Sequence, residues 1–98
     1  MENLKAIKEK LTASMSILQK LFFVKEIGVF GSFAAGTQKE SSDIDILVSF
    51  EKGHNDYFNY SRCKDYLEKL LSRHIDLVPR NAIKTEIKDN ILKEITYA

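Results

Sequence analysis

Gly31-Ser32-Phe33-Ala34-Ala35-Gly36, a polar run over 37–42, and then Asp43-Ile44-Asp45-Ile46-Leu47-Val48-Ser49-Phe50 form the stretch that decides how this chain is read. The first piece follows a β-branched and aromatic run, Val24 to Phe30, and predicts a short helical turn closed by Gly36. The last piece alternates with period two. Asp43, Asp45, Leu47 and Ser49 face one way, and Ile44, Ile46, Val48 and Phe50 face the other. Residues i and i+2 on a strand lie about 6.5 Å apart and project together, so two carboxylate arms can converge on one cation or bridge two. Adjacent acids would point to opposite faces. A Gly-Ser turn at a strand end exposes backbone N–H groups to phosphate oxygens. Glycine lets a ligand approach the backbone closely, and the Ser32 hydroxyl adds a donor. The four letters at this spacing arise by chance about once per thousand chains of this length, given ordinary residue frequencies.

Outward from this stretch the chain reads as alternating helices and strands. Leu4, Ile7, Leu11, Met15, Leu18 and Phe22 recur at steps of three and four, which predicts one amphipathic helix over 3–22 with Asn3 as its cap. Gly28, inside the first strand, marks a close backbone approach or a bulge. Gly53 to Asp56 is a turn with Asn55 or Asp56 as cap. A helix over 56–73 then turns Tyr57, Tyr60, Leu67, Leu70 and Leu71 to the core. Residues 74–78 are a third strand stopped by Pro79. Residues 82–96 are a last helix on Ile83, Ile87, Ile91 and Ile95. The predicted class is α/β (α+β), a small mixed sheet of three to four strands with helices packed against it. Residues 1–98 form a single domain.

Asp76 alternates with Ile75 and Leu77 and so faces away from them. If its strand lies beside 43–50, Asp76 reaches the metal pair and can accept the proton of an attacking hydroxyl. Mg²⁺, as two ions, is the expected cation, because it takes oxygen ligands and shares its shell with substrate phosphates. His54 and His74 lack partners at metal-ligand spacing and are read as structural or solvent-exposed; Cys63 sits in a helix with no base nearby and is read as a buried or bystander thiol.

Composition narrows the class. Fifteen Lys and Arg against 14 Asp and Glu give a net charge of +1, too little field for non-specific nucleic-acid binding. The single cysteine excludes an internal disulfide and suggests a reducing compartment. No signal-peptide core and no membrane span are legible. The expected location is the cytoplasm, with no membrane partner.

Gly31-Ser32-Phe33-Ala34-Ala35-Gly36, Ser42-Asp43-Ile44-Asp45-Ile46-Leu47-Val48 and Ile75-Asp76-Leu77-Val78 together resemble the minimal nucleotidyltransferases (MNT domains) of the DNA polymerase β superfamily. Within that superfamily they are most similar to the antitoxins of HEPN/MNT toxin–antitoxin pairs. The resemblance covers nearly the whole chain and implies the nucleotidyltransferase fold. It implies that Gly31 and Ser32 grip the triphosphate of ATP, and that Asp43, Asp45 and Asp76 bind Mg²⁺ and form the catalytic triad. It further implies transfer of AMP to a tyrosine of a HEPN-type helical toxin held in a hetero-oligomer. One departure stands out: the family reads Gly-Ser-x-Ala-Arg-Gly, and this chain has Ala35 where the Arg belongs. A guanidinium there would brace the loop or a phosphate, and Lys39 is the nearby cation that could stand in as a point charge. The alternative is a catalytically weak binding module that neutralises its partner by contact. A partner that stays modified after this chain is removed would separate the two.

Overall fold

The structure is a computed structural model, and it describes residues 3–98. In chain order it contains α1 (Leu4–Ala13), α2 (Met15–Phe22), β1 (Val24–Phe30), α3 (Gly31–Ala35), β2 (Ile44–Phe50), α4 (Tyr57–Leu71) and β3 (Ile75–Pro79). A 3-10 turn (Arg80–Ala82), α5 (Thr85–Glu94) and β4 (Thr96–Tyr97) complete it. The four strands form one mixed sheet in the order β3-β2-β1-β4. β1 runs antiparallel to β2 and β4, and β2 runs parallel to β3.

One face of the sheet carries the core. Val24, Ile27, Val29, Ile44, Ile46, Val48, Phe50, Ile75 and Leu77 meet Ile7, Leu11, Leu18, Phe22, Cys63, Leu67 and Leu71 from α1, α2 and α4 in one buried cluster. The stripe read from the sequence therefore packs as expected, but on two helices rather than one. The helix breaks at Ser14, whose ψ of 3° leaves the helical well while its N–H still reaches Lys10 O and Leu11 O. Serine is a poor helix interior residue because it competes with the backbone. The break lets Leu18 and Phe22 take their own angle onto the core.

The caps are local. Asn3 Oδ1 accepts from Ala6 N at 2.9 Å, and Asp56 Oδ1 accepts from Asn59 N at 2.9 Å. Tyr57 corrects the reading of α4. It was expected in the core, and its side chain stands 75% exposed, one residue inside the cap, where the helix has not yet met the sheet. Tyr60 does pack, and its hydroxyl donates to Leu77 O at 2.7 Å. Pro79 closes β3 from within, as its last residue; β3 is an edge strand, where a missing N–H breaks no ladder. Among the described residues no helix is long and apolar enough to cross a membrane.

The C-terminal segment differs most from expectation. The helix predicted over 82–96 ends at Glu94; Ile95 is extended, and Thr96-Tyr97 pairs with β1 at Val29 and Gly28. The β-branched and aromatic run Ile95-Thr96-Tyr97 suits a strand better than a helix end. None of the residues of α5 is fully buried, and Ile87 is 48% exposed, so the isoleucine stripe packs only loosely, mainly against α3. Gly28 explains how that segment docks. A Cβ there would stand 2.8 Å from Ile95 Cγ1 and Cδ1 and 3.0 Å from Thr96 O, so the backbone must be bare for β4 to lie flat. Gly28→Val is expected to destabilise the fold by about 1–3 kcal/mol, the usual range for overpacking, measured by urea unfolding.

Candidate active site

The second face of the sheet bears the polar residues. Register places Phe30 of β1 opposite Asp45 of β2, and Asp45 opposite Asp76 of β3. Gly31 follows Phe30 at once and turns the chain into α3 with φ +71°, a conformation that favours glycine. A second constraint acts on the same atom. A Cβ on Gly31 would overlap Asp45 Oδ2 and lie 2.9 Å from its Cγ. The carboxylate of β2 thus occupies the space that any other side chain at 31 would need. No side chain caps α3, so the amides of Gly31, Ser32 and Phe33 open its N-terminus without an intrahelical partner.

The parallel pairing of β2 with β3 puts Asp45 and Asp76 side by side, as anticipated for strands lying together. Asp45 is half-buried, and Asp43 and Asp76 are exposed. The Asp45 carboxyl is pushed up to about 6. Burial is the main cause, followed by the charge of Asp76, a hydrogen bond with Asp76 and the charge of Asp43. Two carboxylates crowded together hold a proton more tightly than either would alone. The alternation puts Asp43 on the strand, but in the structure it lies one residue before β2, which begins at Ile44. It contributes to the field at Asp45 from the end of the polar loop rather than from the ladder.

The other candidates separate from this cluster. His54 stacks on Phe23 with ring centroids 3.6 Å apart, and His74 Nδ1 lies 3.6 Å from Glu68 Oε2. Cys63 is buried among the α4 core residues, which pushes its thiol up to about 12. Lys39 is exposed, and its backbone N–H, not its ammonium, is what the loop uses, donating to Ser42 Oγ at 2.8 Å. The cation that does meet the site loop is Arg73, which the sequence reading passed over. Its Nη1 donates to Glu40 O at 2.7 Å and to Ser42 O at 2.9 Å. The only sequence signal was a basic residue three positions before Asp76.

The donors suit a hard cation. Asp45 and Asp76 are close enough to share a hydrogen bond, and their mutual repulsion is the kind a divalent ion relieves. Among the described residues no three His, Cys, Asp or Glu side chains are gathered closely enough to hold a metal by themselves. That is compatible with Mg²⁺, which takes one or two carboxylates and completes its shell with water and substrate phosphates.

The raised Asp45 value has a consequence for stability. Its carboxyl binds a proton more tightly folded than unfolded, so the associated stability is full below the unfolded value near 3.8 and is lost as pH rises through about 6. In the presence of a chelator, Asp45→Asn should melt higher than the wild type at about pH 8, and the gap should close at about pH 4, as followed by thermal unfolding.

Comparison with known proteins agrees with this fold. Residues 8–98 match the family described as nucleotidyltransferase domain. The protein adenylyltransferase MntA of Thermococcus cleftensis is 41% identical over 97 residues, covering 99% of this chain and 97% of its own. A solved structure of a candidate minimal nucleotidyltransferase superposes with a TM-score of 0.83 at 29% identity, covering 97% of this chain and 95% of that one. A tri-AMPylated HEPN toxin of Shewanella oneidensis in complex with its MNT antitoxin gives a TM-score of 0.66 at 18% identity, covering 93% of this chain and 70% of that one, a likeness of fold. With the family matched over nearly its full length, and with the Gly-Ser turn set against paired acids on one sheet face, the chain belongs to the nucleotidyltransferase domain family and is an enzyme of that kind.

Proposed function

We propose that residues 1–98 act as one minimal domain that moves AMP from ATP to a tyrosine hydroxyl of a HEPN-type protein, silencing it as an antitoxin does. The observation that carries this reading is the contact of Asp45 with Gly31 on one side and Asp76 on the other, which sets the start of α3 against a pair of carboxylates. The name of the Thermococcus relative supports the adenylyl donor and the protein acceptor.

In this reading the amides of Gly31 and Ser32 and the Ser32 hydroxyl take the phosphate oxygens of ATP. Asp45 and Asp76, with Asp43 at the end of the loop beside them, would share Mg²⁺ with the phosphates and water rather than enclose it by themselves. When bound, the ion neutralises charge on the triphosphate and on the attacking oxygen. A phenol ionises near pH 10, so at neutral pH it needs a base. Asp76 is exposed beside Asp45 and open to an incoming hydroxyl, which suits it to accept that proton. The phenolic oxygen attacks the α-phosphorus, the bond to the bridging oxygen breaks, and pyrophosphate leaves. The short chain leaves much of the acceptor's positioning to the partner. The exposed aromatics Tyr57 and Phe58 are suited to partner contact.

Two outcomes test this. Mg²⁺ and ATP together should raise the melting temperature more than the sum of their separate effects, because each completes the other's site; additive shifts count against a shared site. Mixing the chain with its HEPN-type partner, ATP and Mg²⁺ should add the mass of AMP less water to the partner by intact mass spectrometry, and Asp43→Ala should abolish the gain. A partner that is silenced without added mass favours neutralisation by contact alone.

A further inference from the structure

We propose that Arg73 is a positioning residue that locks the phosphate turn and the acidic strand into one frame, a role resting on the proposed AMP transfer. Three contacts carry it. The Arg73 guanidinium lies over the Phe33 ring with Cζ 5.3 Å from the centroid. Its Nη1 spans the two backbone carbonyls of Glu40 and Ser42 at 2.7 and 2.9 Å. Phe33 is the buried residue of α3, the helix that Gly31 and Ser32 open. Glu40 and Ser42 belong to the loop that delivers Asp43 and β2. One planar cation therefore touches both halves of the site from a third element.

The base of Arg73 is itself held. It stands in the turn between α4 and β3, after Ser72 at φ +51°. Ile75 N donates to Glu68 Oε2 at 3.1 Å, and Ile44 N donates to His74 O at 3.1 Å, so the turn is tied to α4 and to the start of β2. The helix α3 carries no charged side chain, and Ala35 gives it none with which to reach the loop. Among the described residues, the other hydrogen bonds of the loop 37–42 stay within five residues: Thr37 N to Ser32 O and Ser42 N to Lys39 O, both at 3.0 Å, and Lys39 N to Ser42 Oγ at 2.8 Å. Arginine suits the position because its plane stacks on an aromatic ring while its N–H groups stay in that plane to donate. Lysine offers donors without the plane.

The experiment compares wild type with Arg73→Met and Arg73→Lys by amide hydrogen exchange and by steady-state transfer of AMP from ATP radiolabelled at the α-phosphate to the HEPN-type partner. In Arg73→Met the amides of 37–43 should exchange at least about tenfold faster, while those of β1 and α4 keep their protection. The kcat should fall roughly 10- to 100-fold, the cost of misplacing reacting groups by about an ångström, with KM for ATP changed less than about threefold. Arg73→Lys should lie between the two proteins in both measurements. Loss of protection spread evenly over the sheet would make Arg73 a general stabiliser and overturn the proposal. Faster loop exchange with an unchanged kcat would overturn it too. If the wild type transfers no AMP, the functional reading fails, and loop exchange in Arg73→Met alone then decides whether the brace exists.

Discussion

Asp45 against Gly31 is the contact on which the rest of the site depends. The carboxylate fills the space above the glycine Cα, and the glycine adopts a left-handed turn that starts α3. Either half alone would tolerate variation. Together they fix the opening of α3 beside a carboxylate at contact distance, and the burial this requires is the largest cause of the raised Asp45 value. The site accepts an electrostatic cost at rest, one that a cation or a proton relieves. Functional sites commonly keep such unfavourable arrangements because the surrounding fold is stable enough to impose them.

That stability comes from the other face of the sheet. The buried cluster beneath β1, β2 and β3 is continuous with α1, α2 and α4. The strands therefore present the acids from a rigid base, and the polar face need not supply core packing. The second face is covered unevenly. Leu47, on the same side as Asp45, is buried to 2%, while α5 buries none of its own residues completely. Ile95 lies over Gly28 and secures the end of this cover, with Ala98 N donating to Ile27 O at 2.9 Å. Near the acids the face stays open, which leaves Asp43 and Asp76 exposed.

The sheet order explains why a short chain can hold a site of several parts. β2 lies centrally and pairs with β1 on one side and β3 on the other. Phe30, Asp45 and Asp76 then form a row across three strands, at the sheet's spacing of about 4.8 Å per strand. The α3 turn and the 37–42 loop both leave from the same end of that row. Arg73, arriving from the α4–β3 turn, closes the ring of elements around it.

Features that depend on near neighbours in the chain could be read directly from the residues. Apolar steps of three and four fixed the core stripe from Leu4 to Phe22, alternation fixed the two faces of β2, and Asn3 and Asp56 declared their helix starts. The Gly-Ser turn was legible because it works over two adjacent residues, whereas the Asp43–Asp45 alternation did not show that Asp43 lies before β2. The remainder depends on contacts between segments distant in the chain. Whether Asp76 stands beside Asp45 depends on β3 pairing parallel with β2 rather than at another edge. Whether Arg73 matters depends on carbonyls 31 and 33 residues away. The end of α5 at Glu94 and the turn of Ile95 into a strand were set by the free edge of β1 and the bare backbone of Gly28, neither of which periodicity in residues 82–96 can report. Local pattern encodes which face a side chain takes, but contacts across the fold depend on strand order, which is chosen by the burial of the whole core at once.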